Sequence, residues 1–127
     1  MASELGRLRH SETARLDRDR LERLVVELGE PGAERLVGRA LDTIAVRLNR
    51  CERAWRSGDV PRLVTSAEDL AQCAERIGLV TLERVARDVI QVANRADEPA
   101  LGATLSRLVR IGEASLMSAW DLSDLPV

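Results

Sequence analysis

From about Asp17 to Leu122, apolar residues recur in steps of three and four with polar and charged residues between them. That spacing stacks side chains on one face of an α-helix; a half-buried strand would need strict alternation, and no stretch alternates. Leu21, Leu24, Val25 and Leu28 define a first helical face, and Gly29 supplies a stop. A long helix is predicted from about Pro31 to Arg56, with Val37, Leu41, Ile44, Leu48, Cys51 and Trp55 along its seam. Pro31 suits a first helical turn, whose amide hydrogens have no intrahelical partner. Ser57-Gly58-Asp59 ends that helix, and Val60-Pro61 opens a third with Leu63, Ala67, Leu70, Ala74 and Ile77 as far as Gly78. Leu82, Val85, Val89, Val92 and Ala96 mark a fourth, closed by Ala96-Asp97-Glu98-Pro99. Leu101, Leu105, Leu108, Gly112, Ser115, Ala119 and Leu122 mark a fifth.

Short connections between long amphipathic helices force neighbours to run antiparallel. The expectation is an all-α protein: an antiparallel four-helix bundle over residues 17–122 with a short N-terminal helical segment. Residues 1–16 are polar and weakly patterned, a partly flexible stretch with at most one short helix from Ser11. Residues 123–127 are expected to form a loose tail. No internal repeat is visible.

Composition sharpens this at a few points. With 127 residues the chain makes one domain able to bury its own core without metal or disulfide support. There is no Tyr and no Phe, and only two Trp, so the core must be aliphatic. Trp55 and Trp120, near helix ends, are expected to close the ends of that core. Net charge is −2, every basic residue is Arg, and acids are interleaved with them throughout. That mixture, without an aromatic platform for stacking bases, argues against nucleic acid as a partner. The two cysteines, Cys51 and Cys73, fall on different helices outside any metal-ligand spacing, and free buried thiols are expected. No apolar run approaches a membrane span and no leader is evident, so a cytoplasmic location away from membranes is expected.

Catalytic chemistry finds little to stand on. There is no Ser-His-Asp set, no glycine-rich phosphate loop and no His/Cys cluster, so neither an enzyme nor a bound cofactor or metal is expected. Asp17, Asp19 and Glu22 open a helix, where carboxylates favour the positive end of the dipole. Glu52/Arg56 and Glu83/Arg87 stand four apart and should pair on the surface. Gly38, Gly102 and Gly112 interrupt helices at a cost of up to about 1 kcal/mol each relative to Ala, and close helix approach is one reason to tolerate it.

One run goes further. Gly58-Asp59, seven residues, then Ala67-Glu68-Asp69-Leu70-Ala71-Gln72-Cys73-Ala74-Glu75-Arg76-Ile77-Gly78 is similar, without a gap, to the histidine phosphotransfer (Hpt) domains of bacterial phosphorelays. In that family Gly-Asp precedes a helix bearing Ala-His-x-Leu-Lys-Gly-x-Ala-x-x-Ile/Leu-Gly, and the resemblance extends over about residues 17–122. Gly58, Asp59, Ala67, Leu70, Ala74, Ile77 and Gly78 match. Glu68 stands where the phosphorylated His would be, Ala71 replaces the Lys and Gln72 the Gly.

The resemblance implies a bundle that docks response-regulator receiver domains, with Glu68 at the centre of the docking face and Val64, Ala71, Gln72 and Glu75 around it. A carboxylate brings negative charge to an already anionic transfer, and Ala71 supplies no cation, so phosphotransfer is not expected. His10, the sole histidine, lies in the polar N-terminal segment and cannot stand in. Docking would depend on Mg²⁺ bridging Glu68 and the receiver's acidic pocket. The alternative is a bundle that keeps only the fold and works through self-association, a homodimer included, or through an unrelated partner.

Overall fold

A computed structural model describes the backbone of residues 16–123 and the side chains of 16–118. Four helices follow one another: α1 Arg18–Arg56, α2 Val60–Arg76, α3 Val80–Asn94 and α4 Glu98–Ser123. The connections are three residues each, so consecutive helices turn straight back on one another. α1 packs on α2, α2 on α3, α3 on α4, and α4 closes the ring on α1. This is the expected all-α antiparallel four-helix bundle. The expectations for His10, for a helix near Ser11, for the tail and for the side chain of Trp120 lie outside the described residues.

Local chemistry explains each boundary. Asp17 caps α1, its carboxylate accepting the Arg20 amide at 3.3 Å. Asp59 caps α2 in the same way through the Arg62 amide at 3.2 Å, and Gly58 makes the turn before it with φ 72°. Asp97 accepts the Ala100 amide at 3.2 Å, so α4 begins at Glu98. Pro99 therefore opens α4 within its first turn; it was expected to lie in the break. Gly29 stops the first helical segment, as expected, within the span given as α1. It breaks the axis within α1 at φ 76° and ψ 165°, and helical backbone resumes beyond it.

One contiguous core fills the ring. Ile44, Leu48 and Cys51 from α1, Leu63, Leu70 and Ala74 from α2, Leu82, Val85 and Val89 from α3, and Leu101, Leu105 and Leu108 from α4 are all buried within it. Each Leu, Ile and Val side chain among them contributes on the order of 1.5–3 kcal/mol on removal from water. Trp55 is half-buried and packs against this core with its indole edge over Gly102, where a Cβ would stand 3.2 Å from Cζ2. Gly112 lets α4 approach α1 still more closely, since a Cβ there would lie 2.5 Å from Leu48 Cδ1. Gly38 has no such reason: a Cβ would meet nothing within 4 Å.

The chain ahead of α1 is tied to the opposite end of α2. The Asp17 amide donates to the Gly78 carbonyl at 2.7 Å, and Leu16 bridges to Leu79. Gly78 has φ 77° and lies under Asp17, so a side chain there would be both strained and obstructed.

Candidate functional site

The helix carrying the family-like run is α2, and its environment is set by packing on both sides. α1 and α3 flank it, so it buries Leu63, Ser66, Ala67, Leu70, Ala71 and Ala74. At 100° per residue these span an arc of about 140°, wider than the roughly 100° stripe of an ordinary surface helix. What remains is a narrower outer face of Thr65, Glu68, Gln72, Glu75 and Arg76, with Val64, Asp69 and Cys73 half-buried along its edges.

The five residues expected to make a docking face separate on this geometry. Glu68 and Gln72 are exposed near the middle of the outer face, and Glu68 makes no ion pair among the described residues. Val64 is half-buried against the core. Glu75 is exposed but is held 3.5 Å from Arg87 Nη2 of α3, and Arg87 Nε also donates to Glu83 at 3.0 Å. Ala71 corrects the expectation: it is wholly buried, because α3 extends the covered arc by one residue on that flank. It offers no surface contact to a partner.

The other flank joins Gln72 and Cys73 to Thr43, Arg47 and Arg76, which the sequence did not single out. Thr43 and Arg47 of α1 face Asp69, Gln72, Cys73 and Arg76 of α2 across a cleft of about 290 Å³. Arg47 Nε lies 3.5 Å from Asp69 Oδ2, a charge contact and not a hydrogen bond, and this nitrogen is buried without a hydrogen-bond partner. Each residue stands three or four positions from another on its own helix. That regular spacing was the available signal, but it does not say which stripe of α1 meets which stripe of α2.

The thiols differ. Cys51 is fully enclosed, and burial, with a smaller push from the neighbouring Glu52 carboxylate, raises its pKa to about 11. It is therefore a neutral, inert part of the core. Cys73 corrects the expectation of two buried thiols, since it is only half-buried at the cleft. Asp17 acts as a cap, and no group of three or more His, Cys, Asp or Glu among the described residues is placed to hold a metal ion. No helix among them is long and apolar enough to cross a membrane.

The site is thus an exposed carboxylate on the outer face of a bundle helix, bordered by an acidic pairing toward α3 and an arginine-lined cleft toward α1. The chain matches no protein-family model, no curated protein and no solved structure.

Proposed function

We propose that this chain is a signalling adaptor of the Hpt type, docking a receiver domain through α2 without carrying phosphate itself. The observation that supports this most is Glu68. It stands at the position that the resemblance gives to the phosphorylated His, is exposed on the outer face, and makes no ion pair among the described residues. A receiver's acidic pocket with its Mg²⁺ is a chemically matched partner for such a carboxylate, because a hard cation takes oxygen ligands from both sides. Gln72 and the exposed edge of Val64 supply neighbouring polar and apolar contact. Glu75, which shares Arg87 with Glu83, would add a partly screened negative charge.

The test is binding of the pure protein to a panel of bacterial receiver domains, with and without Mg²⁺. At least one receiver should bind in Mg²⁺, and Glu68→Arg should weaken it by at least about tenfold, equivalent to about 1.4 kcal/mol. No binding across the panel, or binding indifferent to Glu68→Arg, sinks the proposal.

A second reading, self-association, draws on a different place. Val25, Val26 and Leu28 of α1 are exposed together beside the Gly29 break. A dimer that survives Glu68→Arg and is lost on Val26→Glu would favour it.

A further inference from the structure

The outer face of α1 carries a charge pattern that the other helices lack. From Arg35 to Arg56 the chain has six arginines against two carboxylates, Asp42 and Glu52, a local charge of +4 on a chain whose net charge is −2. At 100° per residue Arg35, Arg39, Arg50, Arg53 and Arg56 fall within an arc of about 120°, opposite Ile44, Leu48 and Cys51 of the core. All five are exposed, while the sixth, Arg47, lies outside this arc toward α2. Glu52 is half-buried and pairs with Arg56, so Asp42 is the one exposed acid on the stripe. The other four arginines make no ion pair among the described residues. Elsewhere the signs balance. Among the described residues α2 and α4 each expose two arginines and two glutamates, and of the two exposed arginines on α3, Arg87 is held between Glu75 and Glu83.

Local stability does not account for the stripe. Cations favour the C-terminal end of a helix, which explains Arg53 and Arg56 in the last turn. Arg35, Arg39 and Arg50 have no such reason, and like charges three or four residues apart, as in Arg35/Arg39 and Arg50/Arg53, weaken a helix. The stripe divides into two groups, Arg35 with Arg39 and Arg50 with Arg53 and Arg56, about 16 Å apart along the axis. Between them lie Asp42 and Val46, which is 50% exposed. A nucleic-acid backbone or an anionic lipid surface presents its charge without interruption, and so sets it against Asp42 as well. A protein segment can interrupt its acids and offer Val46 an apolar side chain instead. We infer that the outer face of α1 docks an acidic amphipathic helix of a partner protein. Its carboxylates, about three turns apart, meet the two arginine groups, and an apolar residue between them lies on Val46.

The probe is a synthetic helix-forming peptide with paired glutamates about three turns apart around a leucine, titrated into the ¹⁵N-labelled full chain at low ionic strength. Three others run in parallel: the same residues with all the glutamates at one end, a DNA duplex, and phosphatidylserine vesicles. Saturable amide shifts should centre on Arg39, Val46 and Arg50 with the first peptide, which should bind at least about fivefold tighter than the rearranged one. Arg39→Glu with Arg50→Glu should weaken it at least about tenfold, while Arg84→Glu with Arg110→Glu, the same change of charge on α3 and α4, leaves it within about twofold. Val46→Asn should weaken it by at least about threefold through lost apolar contact. No saturable binding, equal loss from the α3–α4 variant, no preference between the two peptides, or tighter binding of DNA or vesicles would each overturn the inference. All the substituted side chains are exposed, so each variant should keep the parent's thermal midpoint. Receiver docking is read through Glu68→Arg and this surface through Arg39→Glu with Arg50→Glu, so the two proposals stand or fall separately.

Discussion

α1 and α2 are built from the same kinds of residue, yet they meet water differently. Among its larger apolar residues, α2 leaves exposed only Val60, at its first position, whereas α1 exposes Val25, Val26, Leu28 and Val46. The cause is the neighbourhood. α2 packs on both α1 and α3, while Val25, Val26 and Leu28 fall in the first eleven residues of α1, ahead of Gly29, and Val25 to Pro31 are all exposed; Val46, past the break, is the exception. An apolar residue's fate here is decided by how many helices flank its position more than by the periodicity of its own helix. The same circumstance makes the outer face of α2 narrow and polar, which is why Glu68, its one glutamate without an ion pair among the described residues, stands out.

The sharpest way to break this comparison is to place one large cation on each helix. Ala71→Arg puts a guanidinium into a fully enclosed position and should cost more than about 3 kcal/mol, a large share of the stability of an ordinary domain. Val26→Arg, at 85% exposure, should change stability by less than about 0.5 kcal/mol. Urea denaturation measures both, and similar losses would show that the flanking argument is wrong.

The two cysteines offer a finer version, because Cys51 sits inside on α1 and Cys73 at the edge of α2. An alkylating reagent should modify Cys73 in the folded protein and spare Cys51 until unfolding. The pH dependence has a definite sign. Below about pH 9 the Cys51 thiol keeps its proton folded or unfolded, so its contribution is fully present. As pH rises from 9 toward the folded value of about 11, the unfolded chain alone loses that proton, and stability falls by on the order of 2 kcal/mol. The chain has no Lys and no Tyr to blur this window, and Cys51→Ala should flatten the decline.

The smallest effects come from glycines that look alike in sequence. Gly112→Ala drives a methyl into Leu48 and should destabilise by about 1–3 kcal/mol despite the better helix former. Gly38→Ala meets open space and should stabilise by about 0.5–1 kcal/mol. Thermal unfolding of the two variants should shift in opposite directions; a shared sign would mean that close approach does not explain Gly112.

Helix number, direction and most boundaries were legible because the signals are local. Gly58, Asp59 and Pro61 each act within one turn of where they stand, and the 3.6-residue period survives through every helix. The start of α4 was misplaced by three residues because Pro99 looks like a terminator until Asp97 is recognised as its cap. Ala71 was assigned to the surface because a helix sequence shows the centre of its buried arc clearly and the edges poorly, and only a second flanking helix decides the edge. The i,i+4 pairs Glu52–Arg56 and Glu83–Arg87 were readable, and both form. The pairs Arg47–Asp69 and Arg87–Glu75 were not, since they depend on the rotation of one helix against the next.

The tie between Asp17 and Gly78 also has a mechanical side. Because the chain ahead of α1 is hydrogen-bonded to the α2–α3 turn, tension applied before Leu16 is delivered to that turn as well as along α1. The turn lies at the end of α2, about 15 Å along the helix axis from Glu68. Whatever pulls on the start of this chain has a handle on the helix that carries Glu68.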